Sequence, residues 1–564
     1  MCALYDEQTK LWTAADRRLS ESKQQSLGHV ILNWLSSRGS KLAQINDDTG
    51  VQVTYHELWL NTIRAAQNLL KMGFKPRQKF CFMIYNNDHL IPALVASICL
   101  ICPIVPLHPM LSKDEIARIL IQIQPVALFC EANLYDSIDE VLSEIGIDVK
   151  LFIFDKHIAN LESVERLMDE TGEEETFVPY VHKVDEDIAG IFCSSGTTGT
   201  SKCACISSDH YIFSDPARYN SDCVVFSFDS IFWTVGVRPL IDCISNGAVR
   251  IITSRPFSPE LQLQLIEKYK VNVLYSAPFN MVPCIKNDLI SKVDLSSVHT
   301  IFLYGSKVHS TLIEELDRFF PNACPLSWYG MTEIGKIADD LSVKEGCVCG
   351  KQLVNGCTAK IIDENGNHCG PNISGEICIK NSNKFLGYFN DPATTSAAID
   401  DEGFFRTADS GYFDADGILF LSDRKKNVMT VFYFDGIILP SEVEACLNSV
   451  PDIDEVSVVG ISITTDMVLP AAVVVRKPGS SLNEHDVYDI VKDKFPNRSR
   501  LRGGVYFVES LAKTRNGKLL KREITQLAES LFQKALKQDE NVQASLSVIP
   551  EEYRKLINER YNTW

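Results

Sequence analysis

The chain has 564 residues, 45% hydrophobic and 23% charged, with a formal net charge of −18 at pH 7. That length buries a large core and divides into more than one domain. The acidic balance, with no long Lys/Arg block to offset it, argues against non-specific binding to nucleic acid or to an anionic membrane.

Residues 1–20 are polar and charged and lack the apolar core of a signal peptide. The 18 cysteines are scattered. They are expected to be reduced and mostly buried, in an intracellular protein. Cys99-x-x-Cys102 has no second pair, and Cys347-x-Cys349 has no histidine nearby, so core packing outweighs a zinc site. The longest apolar stretch, 90–107, is broken by Pro92, Pro103 and Pro106. It reads as a buried helix followed by a buried strand rather than as a membrane span. Residues 165–187 are acidic and polar and read as a surface connection into an apolar strand at 188–192.

That strand runs into Ser194-Ser195-Gly196-Thr197-Thr198-Gly199-Thr200-Ser201-Lys202. Glycine lets a backbone approach an anion closely, and successive N–H groups, hydroxyls and one ammonium can cradle phosphate oxygens. A Walker loop needs glycine directly before its lysine, and Ser201 stands there. The segment is therefore a different phosphate loop or a plain Gly/Ser/Thr turn. Further on, 271–276 reads as a strand, Pro278 opens a helix, and 300–304 is a strand turned by Gly305-Ser306. Ser310 can cap the next helix, which carries Leu312, Ile313, Leu316 and Phe319. This alternation predicts an α/β fold with a parallel sheet covered by helices.

Two more segments carry chemistry. Trp328-Tyr329-Gly330-Met331-Thr332-Glu333 ends a predicted strand. An aromatic ring there can stack on a base, a glycine admits a ligand, and a carboxylate can hold magnesium; a strand end and turn is the bland reading. Residues 405–412, with Asp409, are followed by Asp414-Ala415-Asp416-Gly417 and by a run ending in Asp423-Arg424-Lys425-Lys426. This is a hairpin with a charged exit, where Asp409 can accept from a ribose diol and Arg424 can meet ribose or phosphate. After Asp423 the texture changes. A helix opens at Pro440, strands are predicted at 456–461, 471–475 and 505–508, and an amphipathic helix at 483–495. These make a small α+β domain, followed from about Ala528 by a charged helical stretch.

The order and spacing of these segments resemble the adenylate-forming superfamily: acyl-CoA synthetases, 4-coumarate–CoA ligases, firefly and other beetle luciferases, and peptide-synthetase adenylation domains. The resemblance runs from about Leu27 to Ile524 and is nearest to the luciferase-like acyl-CoA synthetases of insects. Leu386-Gly387-Tyr388-Phe389-Asn390-Asp391-Pro392 and Leu501-Arg502-Gly503-Gly504-Val505 add to it. It implies a large multi-subdomain N-terminal domain (1–423) with mixed and parallel sheets covered by helices. A small mobile C-terminal α+β domain (424–527) and a charged helical tail (528–564) follow. The implied activity is ATP-dependent conversion of a fatty or aromatic acid to acyl-AMP, with release of pyrophosphate and transfer to coenzyme A. Alternatives are adenylation with weak or no CoA ligation, luciferase-like oxygenation, and a non-catalytic nucleotide- or acyl-binding relative. ATP, Mg2+ and coenzyme A are the implied cofactors. The implied partner is a small carboxylate, with no nucleic acid and no transmembrane segment.

Position by position, the resemblance gives the β- and γ-phosphates to Ser194, Ser195, Gly196, Thr197, Thr198, Gly199 and the catalytic-set Lys202. Gly305 and Ser306 would border adenine, and Tyr329 and Gly330 would lie against it. Thr332 would contact the α-phosphate, Glu333 the metal, and Asp409 the ribose. Arg424 stands just past the hinge, and Lys518, in Lys513-Thr514-Arg515-Asn516-Gly517-Lys518, matches the catalytic lysine. The chain also departs from the family. Ser201 and Cys203 replace a proline and a glycine around Lys202. Asp229 follows Phe228 where a histidine often stands, and an acid there disfavours an anionic substrate unless it is protonated or turned away. The segment 430–440 lacks the lysines and glutamine used in thioester formation. The chain ends Asn562-Thr563-Trp564, without a Ser-Lys-Leu peroxisomal signal, so the cytoplasm is expected, with the peroxisome as the alternative.

Overall fold

Leu90–Cys99 is a helix whose every residue is buried, and Ile104–Pro106 is a buried strand, as the proline-broken apolar run predicts. Pro92 falls in the first turn, where a missing N–H costs no helical hydrogen bond. The computed structural model describes residues 3–14, 26–183, 186–194, 202–212, 219–305, 308, 310–340, 350–354, 356–381, 385–424, 429–431, 436–438, 440–462, 468–494, 501–514, 517 and 519–538.

The strand Ile104–Pro106 belongs to an eight-stranded sheet. Its order is Phe385–Tyr388, Lys202–Ser207, Ile188–Ser194, Ile104–Pro106, Phe80–Met83, Ala127–Glu131, Lys150–Phe154, Glu162–Ser163. From Ile188–Ser194 onward all neighbours are parallel, while the first two strands pair antiparallel at the other end. A parallel sheet must be covered on both faces. Helices Tyr55–Lys71 and Leu90–Cys99 cover one, over the stacked rings of Phe82, Phe129 and Phe152. Helices Lys113–Ile123 and Tyr135–Ile145 cover the other.

The second sheet has 15 strands. Its parallel part runs Cys324–Met331, Thr300–Leu303, Val273–Ser276, Val224–Ser227, Val249–Ile252, Leu42–Asn46. It continues antiparallel from Cys324–Met331 through Gly335–Asp340, Gly350–Leu353, Leu419–Arg424 and Phe405–Phe413. The large N-terminal part is thus a mixed α/β assembly. The small C-terminal part packs the strands Ile453–Ser462, Val468–Arg476 and Val505–Phe507 against helices Pro440–Asn448, Glu484–Lys494 and Lys521–Gln538.

One detail differs from the sequence reading. The helix Lys521–Gln538 crosses the expected domain–tail boundary at 527/528. Ile524, Ala528, Phe532 and Leu536, four residues apart, are buried on one face in the core of the small domain; this 3.6-residue stripe is masked by the charges between. The rest of the expected tail, from 539, lies outside the described residues. The segment 165–187 is the exposed surface connection expected, and it is anchored at a few points. Leu167 and Met168 are buried, Asn68 Nδ2 donates to the carbonyls of Leu167 and Asp169, and Arg64 Nε pairs with Glu174 at 2.8 Å. Helix Tyr55–Lys71 thus holds the stretch from Leu167 to Glu174. The described cysteines are free thiols, and all except Cys324 and Cys446 are buried. Among the described residues no helix is long and apolar enough to cross a membrane.

Burial holds His182 and His210 down at about 4. An ordinary histidine titrates near 6.5, so below that pH the unfolded chain takes up protons that the folded chain refuses. Stability is therefore complete above about 6.5 and falls as the pH drops toward about 4, by up to ~1.4 kcal/mol per pH unit for each histidine. Thermal melts are expected to show Tm declining with acidification, with a shallower slope in the His182→Gln/His210→Gln variant. An unchanged slope would assign the acid sensitivity to other groups.

Candidate functional site

The strands Val224–Ser227, Val273–Ser276, Thr300–Leu303 and Cys324–Met331 run parallel and end on one edge. Ligands of open α/β sheets bind in the crevice outside such carboxyl ends. At the end of Thr300–Leu303, Gly305 has φ +85°. A Cβ there would meet nothing within 4 Å, so the backbone angle, not crowding, calls for glycine. Its neighbour Ser306 lies outside the described residues. Gly330 has the opposite reason: a Cβ would come within 2.6 Å of the Gly335 carbonyl. Only glycine lets Cys324–Met331 fold back onto Gly335–Asp340, and the turn between them carries Thr332 and Glu333. Lys351, buried, braces the same strand by donating from Nζ to Ser327 O at 3.1 Å and Ser327 Oγ at 2.8 Å.

Glu333 is buried, and its Oε1 accepts the Tyr388 hydroxyl at 2.8 Å. Tyr388 ends the edge strand of the other sheet, where its N–H donates to Thr395 Oγ1 at 2.8 Å. Burial, reinforced by the Glu333 charge, raises the Tyr388 phenol well above its ordinary range. The Lys202 ammonium lies 5.2 Å from the centroid of the Tyr388 ring. One tyrosine therefore joins the lysine that closes the Ser194–Lys202 segment to the candidate metal ligand. Tyr388 stood in the sequence only within a family cue; its role rests on an edge strand far away in the chain.

A second pole forms around Asp409. The Tyr329 hydroxyl donates to Asp409 Oδ2 at 2.9 Å. The backbone at Asp409 is fixed by its N–H donating to Thr407 Oγ1 at 3.1 Å, while Thr407 Oγ1 itself donates to the Ile377 carbonyl. Between them Ala408 adopts φ +58°, at an irregularity of the hairpin. A left-handed alanine costs roughly 1–2 kcal/mol, and such strain clusters where a side chain must be aimed. Asp409 and Arg424 are direct cross-strand partners, so the hairpin juxtaposes the two residues named for ribose and phosphate.

Asp229 resolves the question posed by an acid at this edge. Ser227 Oγ donates to its Oδ2 at 2.6 Å, and the Tyr304 hydroxyl donates to the same oxygen. Burial raises the pKa of the carboxyl, and the two donors partly offset that rise. The acid is thus engaged from the ends of two strands that flank Val273–Ser276. Aromatic rings gather beyond it: Phe228 packs edge-on against Phe226 and Phe257, and Phe232 contacts Trp233 and His108.

Of the other predicted residues, Ser194 ends the strand Ile188–Ser194 and Lys202 begins its antiparallel partner. Ser195, Gly196, Thr197, Thr198 and Gly199 lie outside the described residues, as does Lys518. Around Lys518 the chain turns: Lys513 bridges Leu519, Gly517 has φ +81°, and Leu520 N–H donates to Ala512 O at 2.8 Å. In the post-hinge segment, Met429–Val431 pairs antiparallel with Gly436–Ile438, and Phe432, Tyr433, Phe434 and Asp435 lie outside the described residues.

The family model for AMP-binding enzymes matches residues 33–389, and that for the AMP-binding enzyme C-terminal domain matches residues 442–518. The chain belongs to the AMP-binding enzymes. It is similar to probable 4-coumarate–CoA ligase 3 of Dictyostelium discoideum, 28% identical over 525 residues, 88% of this chain and 94% of that protein. The luciferase-like enzyme from the nonluminescent Zophobas morio mealworm is 26% identical, with TM-score 0.67 over 73% of this chain and 98% of its own. The anthranilate CoA ligase AuaEII, solved with anthranoyl-AMP, shares the fold at TM-score 0.80 and 18% identity, over 90% of this chain and 98% of its own.

Proposed function

We propose that this protein is an AMP-forming acid–thiol ligase that adenylates a fatty or aromatic carboxylic acid with ATP and transfers the acyl group to coenzyme A. One observation carries the reading. Two groupings of side chains, Lys202–Tyr388–Glu333 and Tyr329–Asp409 with Arg424 as the strand partner of Asp409, supply the kinds of group that a nucleoside triphosphate would use. The family membership and the CoA-ligase relative support it.

A carboxylate is a poor electrophile toward a thiol, because an oxide-like group would have to leave. Adenylation replaces that group with AMP: the carboxylate oxygen attacks the α-phosphorus and pyrophosphate departs. The residues' work is positioning and charge stabilisation. Asp409 and Tyr329 hold the nucleoside, Thr332 orients the α-phosphate, and Lys202 meets the outer phosphates. The donor set suits Mg2+. Magnesium favours one or two carboxylates plus substrate phosphates over an all-protein cage. Glu333 supplies a buried carboxylate with one oxygen engaged by Tyr388, and the described residues contain no cluster of three or more possible ligands. Held by Glu333 and phosphate, the ion would offset phosphate charge. Lys518 would approach from the small C-terminal domain for adenylation and withdraw for thiol entry. The free, buried cysteines suit a reducing compartment, the cytoplasm or the peroxisome.

The test is ATP–pyrophosphate exchange over a panel of fatty and aromatic acids, repeated as AMP release with coenzyme A. Exchange with at least one acid and CoA-dependent release are expected. ATP binding without exchange for any acid would make the protein a nucleotide-binding relative. Exchange without thioester would make it an adenylating enzyme alone; the altered 430–440 segment points to slow, not absent, thioester formation.

A further inference from the structure

Cys193 and Cys203 are the residues that bracket Ser194–Lys202 in the sequence, one on each strand of an antiparallel pair. They are direct cross-strand partners. Their sulfurs lie 3.1 Å apart, and both side chains are buried, with Cys193 at 6% exposure and Cys203 at 0%. We propose that Cys193 and Cys203 form a reversible disulfide that closes the base of the phosphate-binding segment and shuts down nucleotide binding under oxidising conditions.

The geometry requires little movement. Directly opposed residues of an antiparallel pair have Cα atoms about 4.5 or 5.5 Å apart, and both spacings fall inside the disulfide range of roughly 4.4–6.8 Å. The sulfurs need to close by about 1 Å to reach the bond length near 2.05 Å. The thiols are also chemically unequal. Donation from the Cys193 thiol favours a thiolate at Cys203 and lowers its pKa. The other thiols of this core, Cys81, Cys130 and Cys205, are pushed up to about 12 or beyond by burial. A thiolate is the nucleophile toward peroxide.

Hydrogen peroxide is the oxidant. The Cys203 thiolate attacks one peroxide oxygen, the O–O bond breaks, and the departing hydroxide takes up a proton to become water. Cys203 is then a sulfenic acid. Cys193 gives up its proton, its sulfur attacks the Cys203 sulfur, and the S–O bond breaks with loss of a second water. Two thiols have lost two electrons, and one peroxide has become two waters. A dithiol reverses the step by exchange. The covalent ring so formed contains every residue from Ser194 to Lys202. Any rearrangement of that segment around phosphate must then proceed with its two ends tied, and Lys202 is fixed directly beside the new bond.

The experiment treats the full chain with peroxide and reads two quantities: the cross-linked peptide after non-reducing digestion, and ATP affinity. The ATP arm rests on the function proposed above; the peptide arm does not. Expected are a Cys193–Cys203 cross-link, ATP binding weakened at least roughly fivefold, and restoration of both by dithiothreitol. Cys203→Ser is expected to bind ATP as the reduced parent does and to ignore peroxide, with Cys193→Ala as the second variant if the first does not fold. Cys205→Ser is expected to remain sensitive. The proposal is overturned if no cross-link forms, if it forms with ATP affinity unchanged, or if Cys203→Ser loses affinity as the parent does. A reduced parent that binds no ATP at all would overturn the nucleotide arm together with the proposed function, while the peptide arm would still report whether the bond forms.

Discussion

Lys518→Ala is expected to slow acid adenylation by roughly 10²–10³-fold, the scale of losing one preorganised charge contact at a transition state. The lysine follows Gly517 in the sequence, between the bridge partners Lys513 and Leu519. ATP affinity is expected to change little, because the two nucleotide poles lie in the large domain. The discriminating measurement is a pair of half-reactions. Pyrophosphate exchange should collapse, whereas thioester formation from acyl-AMP supplied ready-made should persist, since the lysine's charge serves only the first step. Near-normal exchange in the variant would remove Lys518 from the mechanism.

Local pattern revealed what depends on local physics. The apolar runs at 188–192, 271–276 and 300–304 are strands because a parallel sheet buries both faces, and they fall at Ile188–Ser194, Val273–Ser276 and Thr300–Leu303. The hairpin 405–424 was readable from its alternation and its Asp414–Gly417 turn, and it sets Asp409 opposite Arg424. What stayed hidden depends on elements brought together from a distance. Tyr388 reaches Glu333 from another sheet, and Tyr304 reaches Asp229 across the end of the intervening strand Val273–Ser276. The acid at 229, alarming for an anionic substrate when read alone, accepts from Ser227 beside it and from Tyr304, 75 residues away in the sequence. Cys203 was visible as a substitution for a family glycine, but only strand register makes it the partner of Cys193. The helix Lys521–Gln538 was legible as a charged helix from about Ala528, but its start and its buried face were not, because its charged residues outnumber the four that it buries.

Asp409→Ala is expected to weaken ATP binding by one to two decades. A hydrogen bond to a charged group contributes about 1.5–3 kcal/mol, and each 1.4 kcal/mol is about tenfold in affinity. The local geometry makes the loss specific. Ala408 holds a strained backbone to aim this one carboxylate, and the Tyr329 hydroxyl fixes its Oδ2. Removing the carboxylate leaves the Tyr329 hydroxyl without this acceptor, so affinity for the base can fall as well as affinity for the ribose. A double comparison separates the two. If Asp409 accepts from the ribose diol, removing the ribose hydroxyls from ATP should cost the parent roughly one to two decades and the variant almost nothing. If Asp409 acts only by holding Tyr329, both proteins should lose the same amount on losing the hydroxyls, and Tyr329→Phe should weaken ATP as much as Asp409→Ala does. Equal sensitivity of parent and variant would sink the ribose assignment and leave Asp409 as a positioning residue for the aromatic ring.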